Sequence, residues 1–438
     1  MASEQSPWDR EDLTTATPLL GVTRAQVAVV GGGIAGLSVA YHLARAGVDV
    51  ALVDAGRVGD GATGRSTGML GPGVGDGVLA LRRRFGDGVA REMLQATVEA
   101  VDLVRDLAQA EGIACDLVPG GQVHAALTPA HARRRWQEAQ AWRALGVDAG
   151  WLDGPALRQA TGSDAYVGGL RLEPAALVDP VRLCRGLRDA AVRRGARVHE
   201  ATRVVRLEAG RVITAQGEVR ARDVVVATNA FTPALGLLPG QVVLLHARAL
   251  VSAPLPADAL AALGGVGRDA VIDARSFFHY HRLTPDGRLL LGGATLRRRP
   301  RDAADDARAW ARLTREAEAL FPALAPLRVE GRWSGPLAFT WDRLPLVGQV
   351  APGLHALVGW CGHGLALGAW SGARLASALG GHAPLPALPW IRGRAPAVPP
   401  AIGRAAVAAM STALDVADRA TCAWPRAVAR SCAQEVAA

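Results

Sequence analysis

Three glycines near the start of the chain have the spacing of a dinucleotide-binding turn. Gly31, Gly33 and Gly36 follow the short apolar run of residues 26–30, and residues 34–46 have the apolar spacing of a helix. In such a turn the first glycine permits a tight bend and the second lets a pyrophosphate approach the backbone. The third glycine lets the helix pack against the strand. This spacing predicts chemistry that depends on a bound dinucleotide.

An acidic residue stands where such a turn needs one. A second apolar run, residues 48–53, ends at Asp54, about twenty residues after the glycines. Asp54 would accept hydrogen bonds from ribose hydroxyls. The first helical residues, Ile34 and Ala35, would direct backbone amides at the phosphates. The strand–helix–strand pattern therefore predicts a nicotinamide or a flavin dinucleotide.

Three further segments favour the flavin. A glycine-bearing loop, residues 61–69, follows at once, whereas a nicotinamide-only domain usually continues into another β-α pair. The strand that ends in Ala227-Thr228-Asn229 lies far downstream, as in two-layer flavoprotein domains. A second glycine turn, Gly362-His363-Gly364, precedes a helix whose first amides could face the flavin pyrimidine ring, where negative charge develops on reduction.

The elements that position these residues alternate between the two regular periods. Apolar spacing predicts helices over about 80–111, 129–146, 180–194, 303–320, 365–379 and 401–420. Strands are expected near 197–199, 202–208, 211–214, 224–226, 241–252, 271–293, 328–340 and 354–360. Residues 116–127 predict a hairpin around Pro119-Gly120-Gly121, and Pro285-Asp286-Gly287 predicts a second turn. Residues 1–24 predict a polar arm, and the end of the chain a loose tail.

The composition excludes several cofactor classes. The 438 residues include 49 that are Lys or Arg, and all of them are arginine. Enzymes that form a Schiff base with pyridoxal phosphate or with a substrate carbonyl need a lysine, and so does the P-loop signature. Asn229 is the only asparagine. Half of the residues are hydrophobic, which is enough for the large cores of an enzyme with two or three domains.

The charge and the cysteines indicate no macromolecular partner. A net charge of +9 would suggest nucleic acid, but the replacement of Lys and Asn by Arg, Ala and Gly is typical of a compositional bias. The basic runs 82–84 and 297–299 are short and lack aromatic residues. Five scattered cysteines without a C-x-x-C pair predict neither a disulfide scaffold nor a metal site. Residues 344–373 predict a buried strand, turn and helix rather than a membrane span, and with no secretory signal at the N-terminus we expect a cytoplasmic protein.

The ordered motifs resemble one known superfamily. Residues 29–38, 61–68, 225–230, 280–289, 343–348 and 362–364 are similar to the D-amino-acid-oxidase (DAO) superfamily of flavoproteins, and within it to the glycine/sarcosine oxidase and gamma-glutamylputrescine oxidase branch. The resemblance runs in family order over roughly residues 5–380. It differs at Gly64-Arg65-Ser66-Thr67-Gly68, where the family usually has Gly-Arg-Asn-Gly-Gly, and at Asp54, where Glu is commoner.

The resemblance implies an α/β plus α+β architecture. We expect a two-domain FAD-binding Rossmann-type fold, glutathione-reductase-like, with an antiparallel-sheet substrate domain. The FAD domain would comprise residues 1–90, 150–240 and 335–385, and the substrate domain 91–149 and 241–334. Residues 386–438 would form a linker, a helix and a tail.

The resemblance also implies a reaction. An amine or amino acid would lose hydride from the carbon next to nitrogen to flavin N5, and the resulting imine would hydrolyse to a carbonyl. Oxygen or another acceptor would then take the electrons. Because relatives of the sarcosine oxidase type hold a lysine over the flavin to promote reaction with oxygen, this lysine-free chain predicts either another cation or another acceptor.

Residue roles follow from the same resemblance. The expected FAD contacts come from Gly31, Gly33, Ile34, Ala35, Gly36, Asp54, Ala62, Thr63, Gly64, Arg65, Ser66, Thr67, Gly68, Met69, Val204, Ala227, Thr228, Asn229, Gly362, His363, Gly364 and Leu365. Tyr280 and Arg282, two apart on one strand and so on one face, and His363 are the catalytic candidates. Arg282 could bind a carboxylate, and Trp341 and Trp360 could line the pocket. His281 and the buried thiol of Cys361 are expected to be structural.

Three other interpretations stay open on the sequence. One is an NAD(P)-dependent dehydrogenase. Another is a flavoprotein tailoring enzyme of secondary metabolism, which would use the same chemistry. The third is a basic flavin-bearing protein whose function is binding.

Overall fold

The computed structural model describes residues 6–8, 16–263, 267–297 and 303–421. Half of the predicted polar arm, part of the basic run 297–299 and the predicted tail after residue 421 lie outside these residues. The α-helices of the described residues are α1 (Ile34–Arg45), α2 (Val78–Ala110), α3 (Pro129–Ala144), α4 (Gly154–Thr161), α5 (Pro180–Arg193), α6 (Ala257–Ala262), α7 (Ala303–Leu320), α8 (Gly364–Leu379) and α9 (Pro400–Thr421).

The strands divide between two sheets. They are β1 (Gly21–Val30), β2 (Val50–Val53), β3 (Met69–Leu70), β4 (Val118–Ala126), β5 (Ala149–Leu152), β6 (Gly168–Leu177), β7 (Arg197–His199), β8 (Val204–Glu208), β9 (Arg211–Thr214), β10 (Gly217–Val226), β11 (Val242–Ser252), β12 (Ala270–Asp273), β13 (Tyr280–Leu283), β14 (Leu289–Arg297), β15 (Val329–Thr340), β16 (Leu346–Ala351) and β17 (Leu354–Val358). The expected combination of a Rossmann-type unit and a second, largely antiparallel sheet is confirmed.

The first sheet is built around parallel strands. Its order is β16-β17-β10-β1-β2-β7, with β8 and β9 attached beside β10. The strands from β17 to β7 run parallel to their neighbours. Residues 27–30 and 50–53 are buried because apolar side chains cover both faces, as parallel strands require. Helices α1, α2, α5 and α8 contribute to the core on one face. The carboxyl ends of β1, β2, β10 and β17 therefore meet at one edge.

The second sheet is mainly antiparallel and has two different faces. Its order is β15-β11-β14-β13-β12-β4-β6-β3, with β5 beside β6. The outer face forms an apolar core with α7, to which Val123, Val271 and Leu291 contribute. Since side chains alternate along a strand, the residues between them point to the inner face. Tyr280 is paired with Gly292 and Ile272, and Ile272 with His124, so these residues share that inner face.

Most of the predicted elements are confirmed, and one turn is wrong. The hairpin expected around Pro119-Gly120-Gly121 is a single strand, β4, which pairs with β6 and β12. The glycines produce a shift in the β4–β6 register rather than a turn. A β-carbon at Gly120 would overlap the carbonyl oxygen of Arg268, so glycine serves there for close approach of two backbones.

Two other differences concern boundaries. β1 begins at Gly21, within the residues expected to form the polar arm, and β16 was not predicted at all. β5 and β6 pair in the second sheet although residues 150–177 were assigned to the FAD domain. We propose that this segment belongs to the substrate domain, because its backbone hydrogen bonds join it to β4. The remaining domain boundaries stay predictions.

Candidate functional site

The glycine turn after β1 is closed by close backbone contacts. Gly31 has a φ of 109°, and a β-carbon there would lie 2.9 Å from the carbonyl oxygen of Ala227. A β-carbon at Gly36 would overlap the carbonyl oxygen of Gly31 and lie 3.2 Å from the β-carbon of Ala227. Only glycine lets α1 approach the ends of β1 and β10 this closely. The turn thus brings the N-terminus of α1 to the carboxyl edge of the sheet.

The N-terminus of α1 can bind a phosphate. Its N-cap residue is Gly33, which supplies no capping side chain. The amide of Ile34 donates to Oγ1 of Thr63 at 3.3 Å, which brings the loop that follows Asp54 beside the helix. The positive end of the helix dipole and the amides of its first turn favour an anion at this position. Ala62 and Gly64 flank Thr63 in the same loop.

Asp54 lies at the end of β2 beside the glycine turn. Its Oδ2 accepts from the Gly32 amide at 2.6 Å and its Oδ1 from the Gly56 amide at 2.8 Å. Burial raises the pKa of Asp54, and the two amide hydrogen bonds act in the opposite direction. A carboxylate oxygen has room for more than one donor, so Asp54 can also accept from a ribose hydroxyl, as the sequence predicted.

Asn229 connects the third strand end to the fourth. It has a left-handed φ of 46°, and its side-chain oxygen accepts from the Gly359 amide at 3.0 Å. Beside it the hydroxyls of Thr228 and Thr232 are 2.9 Å apart. An asparagine tolerates this backbone conformation better than most residues. The role observed for Asn229 is therefore to hold the turn that precedes α8. Val204, another predicted FAD contact, lies at the start of β8. It is partly buried and packs against the apolar cluster that contains Val30 and Val226.

The loop of residues 63–69 is tied to the second sheet. The Arg65 side chain donates to the Ser334 carbonyl at 3.0 Å. The backbone carbonyl of Arg65 accepts from Nε1 of Trp333 at 3.1 Å. The Ser66 carbonyl accepts from Nε1 of Trp8 at 2.9 Å. Met69 then enters β3. The guanidinium of Arg65 thus lies against β15, and the predicted contact of Arg65 with FAD stays a prediction.

Arg282 donates hydrogen bonds to the same loop. Its Nη1 donates to the carbonyls of Thr67 and Gly68, each at 3.1 Å, and to that of Val178 at 2.9 Å. Only 1% of the residue is exposed, and burial lowers the pKa of its guanidinium to about 10. The structure therefore gives Arg282 a bonding role between the second sheet and this loop, because carbonyl oxygens occupy its Nη1 and Nε donors.

The turn before α8 presents a second helix N-terminus. Gly362 has a φ of 99°, and the N-cap residue His363 provides no side-chain cap. A β-carbon at Gly364 would lie 3.0 Å from the indole of Trp360. Trp360 therefore packs against the first turn of the helix, and its place on the pocket wall stays a prediction. The amides of Gly364 and Leu365 begin the helix, and their predicted position facing the flavin stays a prediction.

Cys361 is a buried structural thiol, as expected. Its sulfur donates to the Gly359 carbonyl at 3.3 Å and lies 3.8 Å from the Thr340 hydroxyl. Burial raises the pKa of the thiol, so the reactive thiolate is disfavoured. His281, on the outer face, contacts the Thr161 carbonyl and the ring of Phe321 and is likewise structural.

Uncharged polar side chains meet between the turn and the second sheet. A β-carbon at Gly73 would lie 3.2 Å from the His363 ring. Two residues earlier, a β-carbon at Gly71 would overlap the Gln122 side chain, whose Nε2 lies 3.1 Å from Nε2 of His124. Tyr280 shares the face of His124. We use the name substrate gap for the region bounded by His363 and the inner-face residues Gln122, His124 and Tyr280, where we expect the substrate to bind.

The side chains of the substrate gap are neutral near pH 7. Burial lowers the pKa of His124 to about 3 and that of His363 to about 4, and it raises the pKa of Tyr280. Two neighbouring arginines are bonded elsewhere: Arg343 pairs with Asp76 at 2.7 Å and Arg135 with Glu138 at 2.5 Å. The described residues therefore give this gap hydrogen-bonding capacity without a fixed charge.

Two residues of the gap were missed and one predicted wall lies elsewhere. Gln122 and His124 fall inside the segment misread as a hairpin. Their two-residue alternation with buried Val123 and Ala125 is the signal that could have revealed them. Trp341 donates to the Gly240 carbonyl at 2.8 Å, and its ring packs on Gly403 of α9. Its observed contacts are thus with the C-terminal segment.

Comparison with known proteins identifies the family. The family model described as DAO, FAD dependent oxidoreductase, matches residues 26–378. The chain belongs to this family. It is 30% identical over 390 residues to the gamma-glutamylputrescine oxidoreductase of Escherichia coli K12, covering 85% of this chain and 89% of that protein. It is 27% identical to the glycine oxidase of Bacillus licheniformis, covering 74% of this chain and 84% of that protein.

A solved structure shows the same fold. Glycine oxidase from Geobacillus kaustophilus superimposes with a TM-score of 0.71 at 24% identity, covering 85% of this chain and 98% of that one. The cofactor is FAD, and the nicotinamide alternative is set aside. The glycine turn, the free start of α1 and Asp54 suit its dinucleotide part, and the turn before α8 suits its ring system. Within the described residues, no helix has both the length and the apolar composition needed to cross a bilayer.

The contact between Gly36 and Gly31 gives a test of the cofactor site. Gly36→Ala places a β-carbon on a backbone oxygen. The backbone must shift to remove this overlap, which costs about 1–3 kcal/mol of folding free energy. We expect FAD affinity to fall roughly tenfold or more, measured as flavin absorbance per protein after dialysis. Gly88→Ala is the control, because a β-carbon at this helical position meets nothing within 4 Å. Full FAD content in Gly36→Ala would contradict the assignment.

Proposed function

We propose that this protein oxidises the C–N bond of an amine to an imine, which water converts to a carbonyl compound. FAD supplies the chemistry by accepting hydride from the carbon next to nitrogen. The observation that carries the proposal is the substrate gap, which adjoins the helix N-terminus expected at the flavin ring and is lined by neutral hydrogen-bonding groups. The chain's own residues would bind and orient the amine there and exclude water.

Each residue of the gap has a role that suits its chemistry. Neutral His363 can accept a hydrogen bond from an amine N–H, since one of its imidazole nitrogens carries no proton. Nε2 of His124 already accepts from Nε2 of Gln122, so His124 can orient the substrate only through its Nδ1–H donor. The low pKa values of both histidines make them weak bases, so they suit orientation better than proton removal. The Tyr280 hydroxyl can donate or accept from the opposite side. The amine must therefore bind with its nitrogen already deprotonated.

The charges favour an amine over an α-amino acid. Arg282, the sequence candidate for a carboxylate, donates instead to backbone carbonyls. A carboxylate in the gap would lose its hydration without a cationic partner, which is costly in a buried site. Both substrate types occur by name among the relatives, as gamma-glutamylputrescine and glycine. The neutral gap supports the first type.

An amine panel tests the function directly. We expect primary or secondary amines without an α-carboxylate to bleach the flavin absorbance of the purified protein in the absence of oxygen. The matching α-amino acids should bleach it at least about tenfold more slowly. Anaerobic stopped-flow absorbance measures both rates. Bleaching by amino acids alone would overturn the substrate class, and no bleaching by either group would overturn the function.

The pH dependence should follow the substrate and not the protein. His124 and His363 stay neutral above about pH 4, so between pH 5 and 9 the titrating group is the amine. We expect kcat/KM to rise about tenfold per pH unit below the amine's pKa and then to level off. Two amines of different pKa should give two different inflections. One inflection shared by both amines would assign the titration to the enzyme instead.

The neutral gap also bears on the electron acceptor. A fixed cation near the reacting atoms would stabilise the negative charge that develops when oxygen takes up electrons. The chain has no lysine, and the side chains of the gap are uncharged. We expect turnover in air to produce hydrogen peroxide at least about tenfold more slowly than turnover with an artificial dye acceptor. Peroxide formation as fast as dye reduction would contradict this expectation.

A further inference from the structure

The loop between β12 and β13, residues 274–279, is stabilised by hydrogen bonds to Asp273, the last residue of β12. Oδ1 of Asp273 accepts from the amides of Arg275 and His279 at 3.1 and 2.9 Å. The Arg275 side chain pairs with Oδ2 of Asp273 at 2.9 Å. Nε2 of His279 lies 2.6 Å from Glu316 of α7. The loop is thus fixed to the outer side of the sheet, immediately before Tyr280.

The same loop is held a second time by the C-terminal helix. Asp418, near the end of α9, accepts from the Ser276 amide through Oδ1 at 2.9 Å and from the Phe277 amide through Oδ2 at 3.0 Å. Only 7% of Asp418 is exposed. A carboxylate that accepts from two consecutive amides fixes the orientation of that backbone. The region matched by the family ends at residue 378, so this contact comes from outside it.

Helix α9 follows one edge of the second sheet. Among the α9 residues whose side chains the structure describes, Gly403, Val407 and Asp418 are buried and have the spacing of one helix face. Gly403 packs on Trp341, directly after β15, and the helix also contacts β14. The rise from Gly403 to Asp418 is about 22 Å. With strands about 4.8 Å apart, this length matches the distance from β15 across β11, β14 and β13 to β12.

This edge is also the edge of the substrate gap. Tyr280 is the first residue of β13, and the ring of Phe278 in the held loop lies 6.0 Å from the Tyr280 ring. His124 is near the end of β4, which runs parallel to β12 and ends at the same edge. At the other end of α9, Trp341 follows Thr340, which contacts Cys361 in the turn before α8. Both ends of α9 therefore reach the surroundings of the gap.

We propose that α9 is a lid along the entrance to the substrate gap and that Asp418 is its latch. In this arrangement the latch positions Phe278 and Tyr280 through the backbone of Ser276 and Phe277, and Asp418 itself does not touch the substrate. An amine enters when the two amide hydrogen bonds open, and the closed lid excludes water and limits substrate size. The substrate part of this proposal rests on the proposed function, whereas the shielding of the cofactor does not.

The latch can be tested in the full-length protein with bound FAD. Asp418→Ala removes both acceptors, and Asp418→Asn leaves one. Thr412→Ala is the control on the same helix, because that exposed hydroxyl donates to the Ala408 carbonyl within α9. Quenching of flavin fluorescence by iodide measures access to the cofactor without any substrate. KM and kcat are then measured with a small and a bulky amine.

The expected result is graded. Because hydrogen bonds to a charged carboxylate are strong, the iodide quenching constant should rise at least about threefold in Asp418→Ala, less in Asp418→Asn, and not in the control. For the small amine, KM should rise by a larger factor than kcat falls. For the bulky amine, kcat/KM should fall little or should rise. Should Asp418→Ala fail to fold, Asp418→Asn decides the question.

Two outcomes separate this proposal from its alternatives. A loss of melting temperature or of FAD content with an unchanged quenching constant would mean that Asp418 only stabilises the fold, and it would overturn the lid. A raised quenching constant in a protein that oxidises no amine would support the lid and overturn the proposed function. A control variant that behaves like Asp418→Ala would also refute the latch.

Discussion

The Arg282 guanidinium joins the inner face of the second sheet to the loop that follows the dinucleotide turn, and the arrangement of the site depends on that connection. It reaches from the inner face of the second sheet to the carbonyls of Thr67 and Gly68, in the loop that begins beside the dinucleotide turn. A buried guanidinium is costly unless its donors are satisfied, so the loop is held where the carbonyls meet it. The Nη1 and Nε donors that hold this loop are then not available to a substrate anion.

The local features of the cofactor site could be predicted because short-range rules determine them. The spacing of Gly31, Gly33 and Gly36 specifies a turn, and Asp54 follows from the length of one strand–helix–strand unit. The convergence of Asn229 on Gly359 follows from parallel strand order, which a resemblance supplies but periodicity does not. The sequence alone showed that Asn229 was unusual, and only the structure showed which backbone amide it accepts from.

The errors arose where tertiary contacts decide between equally plausible local structures. Gly120 and Gly121 predict a turn by composition, yet close approach to the backbone of Arg268 makes them part of a strand. Because this segment was predicted as a hairpin, Gln122 and His124 were not recognised as residues of the inner face of a sheet. Arg282 and Trp341 have residue types suited to a substrate site, and that role stays a prediction. The hydrogen bonds observed for them go to backbone carbonyls distant in sequence. A donor's partner is a long-range property, and one sequence does not encode it in any local pattern.

The second sheet consists of strands from two separate segments of the chain. β3 to β6 come before residue 178, β11 to β15 come after residue 241, and β7 to β10 of the first sheet lie between them. His124 and Tyr280 become neighbours only through the parallel pairing of β4 with β12 across that interval. No continuous fragment contains the substrate face without also containing strands of the cofactor sheet. The two halves must consequently fold as one unit, with the slow formation that distant pairings impose, and neither can be exchanged between relatives by a single cut and splice.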